Sequence, residues 1–264
     1  MSGVVQAEVR KVTTTRLWWI ILICAFVLGG AYAVFPATVA MVTGPAADAQ
    51  PPFQQAGIVR SVYNGGNTIT RVLALVVGIY AMGSEYRYQT LASSYLAAPR
   101  RLRLTLGKAV SLALFGLLYG VAGVVAGVVV AVPYVTTQNG SFFFDEAATW
   151  RSLLLDVGSI ALWTMMGFGI GILIKNLLVA MVVGIGFAFV LEPMASWFFL
   201  RQGLDLGLNL LPTGATNAML GSTSPVLFAP VHPFPWGQAL GVLAVWCLVP
   251  AVVGVLAAGR GDLT

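Results

Sequence analysis

Three charged residues lie inside long apolar stretches of this chain: Arg71, Asp156 and Glu192. Ionisable groups at membrane depth are costly to desolvate, so they mark ion pairs, water-filled paths or proton relays. By sequence position all three stand within a few residues of one boundary of their stretches, where Arg71 could pair with either acid. That placement favours structural pairing or a wet outer vestibule over a relay. No charge falls near the centre of any apolar stretch, where an ion-coupled carrier keeps its coordinating groups.

Little else in the chain suggests covalent chemistry. His232, the single histidine, sits in a proline-rich stretch without a nucleophile or metal-ligand partner nearby. Cys24 and Cys247 both fall inside apolar stretches, with neither disulfide nor metal spacing. There is no Gly-x-x-x-x-Gly-Lys-Ser/Thr phosphate loop. No acid, base and nucleophile converge, so an enzyme is not expected, and no catalytic residue or metal ligand is assigned.

The elements that must position these residues are membrane helices. Apolar residues make up 58% of the chain and charged residues 9%, and the mean hydropathy is +0.89. A soluble domain is about 25% charged. The 264 residues hold six spans of about 20 residues each with short loops, and leave no room for a soluble catalytic domain. The expected fold is therefore all-α, one integral membrane domain over 1–264. Its spans are expected at 17–42, 68–83, 105–132, 152–174, 177–200 and 236–258, with an outer segment at 201–235. Charged residues persist to Arg16 before a long apolar run, so no cleavable signal peptide is expected.

The net charge of +5 reads as topology rather than nucleic-acid binding. Arg10, Lys11, Arg16, Arg87, Arg100, Arg101, Arg103, Lys108, Lys175 and Arg260 fall on one side of this map; Arg60, Arg71, Arg151 and Arg201 do not. Cytoplasmic loops collect Lys and Arg, so both termini are expected in the cytoplasm and the chain in the inner (plasma) membrane, multi-pass.

Three local patterns add detail. Val5, Val9 and Val12 recur at helical spacing, while Glu8, Lys11 and Thr15 are read as lying off that stripe. Residues 4–16 are thus either an amphipathic helix on the inner interface or an ordinary basic flank. Ala109, Ala113, Gly116, Gly120, Gly123, Gly127 and Ala131 fall on one face of the third span, a seam that lets two backbones approach. Gly167, Gly169 and Gly171 serve similarly in the fourth, or loosen it. Finally, Glu192-Pro193 divides the fifth span, which is expected to kink or end there.

Three stretches carry a family likeness: Glu8-Val9-Arg10-Lys11 through Arg16-Leu17-Trp18-Trp19; Gly83-Ser84-Glu85-Tyr86-Arg87-Tyr88-Gln89-Thr90-Leu91 through Pro99-Arg100-Arg101; and Leu211-Pro212-Thr213-Gly214 through Met219. In order and placement the chain resembles the membrane subunits (permeases) of type-2 ABC exporters, in the small bacterial, actinobacterial form without a fused ATPase. The resemblance implies an elbow helix over the leader, with Glu8, Arg10, Lys11 and Arg16. It also implies a coupling helix within 84–103, where Glu85, Tyr86, Arg87, Tyr88, Gln89 and Thr90 would meet the ATPase. Two ABC ATP-binding subunits would carry ATP and Mg, since this chain holds no cofactor, and a second permease copy or paralogue would complete the path. Membrane lipids are partners; nucleic acid is not.

A drug, antibiotic or lipid would then pass between the permeases, with Phe26, Phe35, Phe187, Phe189 and Met194 as candidates for the lining or, alternatively, as lipid-facing residues. The remaining alternatives are an ion-coupled secondary transporter or channel acting without an ATPase, and a non-transporting membrane scaffold or immunity-type protein. Arg60 and the outer loop around it match no role in the resemblance.

Overall fold

A computed structural model describes residues 2–43, 52–89, 101–221 and 232–260. Every regular element among them is helical: α1 (Ser2–Thr14), α2 (Leu17–Thr43), a 3₁₀ turn (Pro52–Gln54), α3 (Ala56–Tyr63), α4 (Asn67–Arg87), α5 (Arg101–Thr137) and α6 (Ala147–Leu173). After these come α7 (Leu177–Gly186), a π turn (Phe187–Leu191), α8 (Glu192–Arg201), α9 (Asp205–Leu210), α10 (Pro212–Leu220) and α11 (Trp236–Arg260). Among the described residues, six helical stretches are long and apolar enough to cross a membrane. Thr90, Arg100 and the 222–231 part of the outer segment lie outside the described residues, as do the Arg101 and Arg103 side chains.

The bundle is organised around α6, which packs along α4, α5 and α11. Small residues set how closely these helices approach. A Cβ on Gly78 of α4 would collide with the Thr164 carbonyl of α6, and one on Gly167 of α6 with the Leu75 carbonyl of α4. The α5 stripe is a packing seam with several partners: Gly116 and Gly120 face α6, Gly123 faces Thr70 and Gly127 faces the Tyr63 backbone. In lipid such contact gains dispersion where hydrophobic drive is absent. Leu75, Ile79, Trp163, Met166, Leu243 and Cys247 fill the space between α4, α6 and α11.

The helix boundaries depart from the sequence map in three places. The outer loop expected around Arg60 contains α3, with Val59, Val62 and Tyr63 buried. The second span does not stop at Gly83: α4 continues as helix to Arg87, and α5 already begins at Arg101. The segment expected to be a loop from 84 to 103 is correspondingly shorter.

The fifth span neither ends nor breaks at Pro193. Proline lacks an N–H, and its ring crowds the carbonyl one turn earlier. The helix widens into the π turn at Phe187–Leu191 just before it, and α8 carries on to Arg201. A tight turn at Lys175-Asn176 joins α6 to α7, with Asn176 Oδ1 capping α7 by accepting from Leu178 N (3.0 Å) and Val179 N (3.2 Å).

A charge network and cavity as the candidate functional site

Valines along α1 explain how the site is built. Val9 and Val12 pack against Ile21, Val77, Leu112 and Phe115, and Ser111 Oγ donates to the Val5 carbonyl at 3.3 Å. Residues 5–12 of α1 are thus docked on the bundle rather than a loose basic flank. Glu8 does not lie off the valine stripe. Three residues after Val5 and four before Val12, it sits at the stripe's edge, and it is buried.

What Glu8 meets there is a four-residue ion network. Lys108 Nζ at the start of α5 stands 3.0 Å from Glu8 Oε2 and 2.5 Å from Glu85 Oε1. Lys11 Nζ closes the set at 3.1 Å from Glu8 Oε1 and 3.2 Å from Glu85 Oε1. Glu8, Glu85 and Lys108 are buried, while Lys11 is half exposed. Burial alone would raise the Glu8 carboxyl, but the ammonium groups of Lys108 and Lys11 outweigh it and hold the group below 4.5. Burial would likewise lower Lys11, yet Glu8 and Glu85 hold it above 10.5. Two acids and two bases thereby lock α1, the end of α4 and the start of α5 together.

Beside the network, α1, the start of α2, α4 and α5 line an open cavity of about 450 Å³. All four network residues border it, with Trp18, Val77 and Leu112 on its apolar wall. Past Glu85, Tyr86 is half buried against the α4–α5 packing, whereas Arg87, Tyr88 and Gln89 are exposed. Gln89 takes φ of 55°, a left-handed conformation that ends α4 after Tyr88. Arg10 and Arg16 are exposed on or just after α1. The structure therefore joins Glu8, Lys11 and Glu85, and leaves Arg87, Tyr88 and Gln89 facing outward.

At the far end of the bundle the other three charges gather, deeper than their sequence positions indicate. They are deeper because α3 packs above α4, and because α6 begins at Ala147 and the fifth span runs on to Arg201. Neither acid forms an ion pair with Arg71 among the described residues. Asp156 Oδ1 accepts from Asn67 Nδ2, which also donates to Ser159 Oγ at 2.8 Å. Glu192 Oε1 accepts from Thr213 N at the start of α10.

The Arg71 guanidinium lies 5.2 Å from the Trp163 ring centroid, with Glu192 and Asp156 near enough to act on it through space. Trp163 Nε1 donates to Thr216 Oγ1 at 3.2 Å, and Ser152 Oγ donates to the Leu220 carbonyl at 2.6 Å. These bonds seat α10, every residue of which is buried. Asn67, Ser152, Thr213 and Thr216 carry this assembly. Each is a common polar residue, and nothing in the sequence alone distinguishes it.

The candidate path residues lie on lightly covered helices. Phe26 and Phe35 on α2, Phe189 in the π turn and Met194 on α8 are exposed in the single chain. Phe187 is half buried, its ring 5.7 Å from that of Trp246.

A family model described as ABC-2 family transporter protein matches residues 4–191, from α1 to the end of the π turn. No curated protein matches the chain significantly.

Proposed function

Because the chain belongs to the ABC-2 transporter family and forms a multi-pass membrane protein, we propose that it is the permease subunit of an ATP-driven exporter of amphiphiles. Members of this family generally work with ATP-binding subunits, often as dimers. In this reading two such subunits bind ATP and Mg, and a second permease copy or paralogue completes the translocation path for a drug, antibiotic or lipid. Both termini lie in the cytoplasm, as the Lys and Arg distribution supports.

One observation carries the coupling mechanism: the network of Glu8, Lys11, Glu85 and Lys108 ties three helices together immediately before residues 90–100. A partner pushing on the end of α4 moves α4, α5 and α1 as one body. Arg87, Tyr88 and Gln89 make the direct contacts with the ATP-binding subunit, with Thr90 following them. Glu85 and Tyr86 hold the end of α4 in place from behind. α1 is the elbow helix, and its exposed Arg10 and Lys11, with Arg16 just after it, face lipid headgroups.

Substrate passes between copies along α2 and the α7–α8 rod, where the exposed Phe26, Phe35, Phe189 and Met194 are available to line a shared path. The test is co-purification of the tagged chain in mild detergent, followed by transport in proteoliposomes. A stoichiometric ATP-binding subunit and transport that stops without ATP support the reading. Transport by the chain alone, abolished by collapsing an ion gradient, would instead give Arg71, Asp156 and Glu192 the work of an ion-coupled carrier.

A further inference from the structure

Two rows of α4 residues at i, i+4 spacing form one wall of the cavity beside the charge network: Val77, Ala81 and Glu85, and Tyr80, Ser84 and Tyr88. Polarity changes along that wall. Ser84, Glu85 and the exposed Tyr88 stand at the end of α4, whereas Val77 lies about 12 Å back along the helix from Glu85 at 1.5 Å per residue. Leu17 and Trp18, where the first span begins, line the same cavity. Tryptophan collects where a span enters the membrane, so the cavity lies at that level, polar at one end and apolar at the other. Its volume is that of a small-molecule site.

The network bordering the cavity keeps two hydrogen-bonding groups in reserve. Glu85 Oε1 accepts from both Lys11 and Lys108, while Glu85 Oε2 accepts from no described residue and is not sealed off from solvent. A lysine ammonium has three N–H groups. Lys11 gives one to Glu8 and one to Glu85, so its half-exposed ammonium keeps the third. Lys11 Nζ and Glu85 Oε1 are 3.2 Å apart, close enough for one headgroup to reach both side chains. With two acids and two bases the network is neutral. A headgroup of either net sign would leave a charge unbalanced beside apolar residues, which is costly.

We propose that this cavity holds one phospholipid whose headgroup is zwitterionic and carries a primary ammonium, of the phosphatidylethanolamine kind. Its phosphate accepts from Lys11, its ammonium donates to Glu85 Oε2, and one acyl chain lies along α4 toward Val77, with Trp18 and Leu112 beside it. The proposal needs α2 to cross the membrane but neither a second permease nor an ATP-binding subunit, so it stands or fails apart from the export reading.

Native mass spectrometry of the full chain, delipidated in detergent and titrated with single lipids of matched acyl chains, tests this. The probes are phosphatidylethanolamine, phosphatidylcholine and phosphatidylglycerol. One tightly held phosphatidylethanolamine per chain is expected. Phosphatidylcholine has no N–H to donate and should bind about tenfold more weakly, the worth of one hydrogen bond between charged groups. Phosphatidylglycerol, with its net negative charge, should also bind more weakly. Glu85→Leu should abolish the preference for ethanolamine over choline, and Ala81→Phe, which fills the cavity, should weaken all three lipids.

Retention of phosphatidylethanolamine no greater than in Ala81→Phe overturns the proposal. So does equal binding of the ethanolamine and choline lipids, or tighter binding of phosphatidylglycerol. A preference that survives Glu85→Leu overturns it as well. Should either variant misfold, the comparison of the three headgroups on the parent chain still decides.

Discussion

Lys108 Nζ and Glu85 Oε1 stand 2.5 Å apart, both buried, joining the start of α5 to the end of α4. The same ammonium reaches Glu8 on α1 at 3.0 Å. Replacing Lys108 by Met would leave two buried carboxylates facing only half-exposed Lys11. Breaking one side of a buried pair costs about 3–5 kcal/mol. The variant should therefore melt well below the parent in detergent and become cleavable by protease within α1. An unchanged melting temperature and an intact α1 would remove the network from any structural role.

The docking of α1 should depend on pH at both extremes. Glu8 has a lowered folded-state value, so its stabilisation is fully present above 4.5 and disappears as pH falls through the lower folded value. Lys11 has a raised value, so its stabilisation is fully present below 10.5 and disappears as pH rises through the higher one. A fluorescent probe on exposed Gln6 should report a flat plateau between these limits and release beyond each. Glu8→Gln should erase the acid transition and move the basic one to lower pH, since Glu8 and Glu85 together hold Lys11 up.

Exposure separates the residues at the end of α4 into two classes. Arg87→Ala and Tyr88→Ala should lower substrate-stimulated ATPase activity of the reconstituted complex without shifting the melting temperature. Glu85→Ala should lower both, because Glu85 is buried between Lys11 and Lys108. Activity assays alongside differential scanning fluorimetry distinguish them. Full stimulation in the Arg87 and Tyr88 variants would place the partner's contacts elsewhere.

The seam between α4 and α6 should tolerate no added bulk. Gly167→Ala sets a Cβ against the Leu75 backbone and should destabilise by about 1–3 kcal/mol or more. Gly158→Ala, on the same helix, meets nothing within 4 Å and should be neutral or slightly stabilising. Thermal melts of the two variants side by side measure the difference, and equal melting temperatures would mean that the helices are not held so closely.

At the far end, Arg71→Leu should destabilise the fold, since it leaves Asp156 and Glu192 buried without a nearby positive charge. Arg71→Lys should recover only part of the loss, because a lysine ammonium cannot lie flat over Trp163 as a guanidinium does. Melting temperatures ordered parent, Lys, Leu are expected. A Lys variant equal to the parent would mean that charge alone matters.

Much of the architecture was legible because lipid imposes simple requirements on a chain. Long apolar runs must be helices that satisfy their own backbone groups, so the six spans could be counted from residues such as those of Leu104–Thr137 and Trp236–Gly254. The glycine stripe of α5 was legible for the same kind of reason: its spacing puts small residues on one face before any partner is known. The helical spacing of Val5, Val9 and Val12 is legible as well, but the buried position of Glu8 is not. A carboxylate reads as polar and outward until its cation is known, and Lys108 lies far away in sequence.

Sequence by itself determined how many long apolar helices can cross a membrane, roughly where they lie and where the basic residues collect. All of these follow from local composition and period. Tertiary structure decided which charges are partners. Glu85 turned out to bind Lys11 and Lys108, and Arg71 to rest on Trp163 instead of pairing with Asp156 or Glu192. It also decided that the Pro193 helix continues through a π turn, and that Glu85 borders a cavity. Pairings of this kind depend on distances between residues remote in the chain, and only packed helices set those distances.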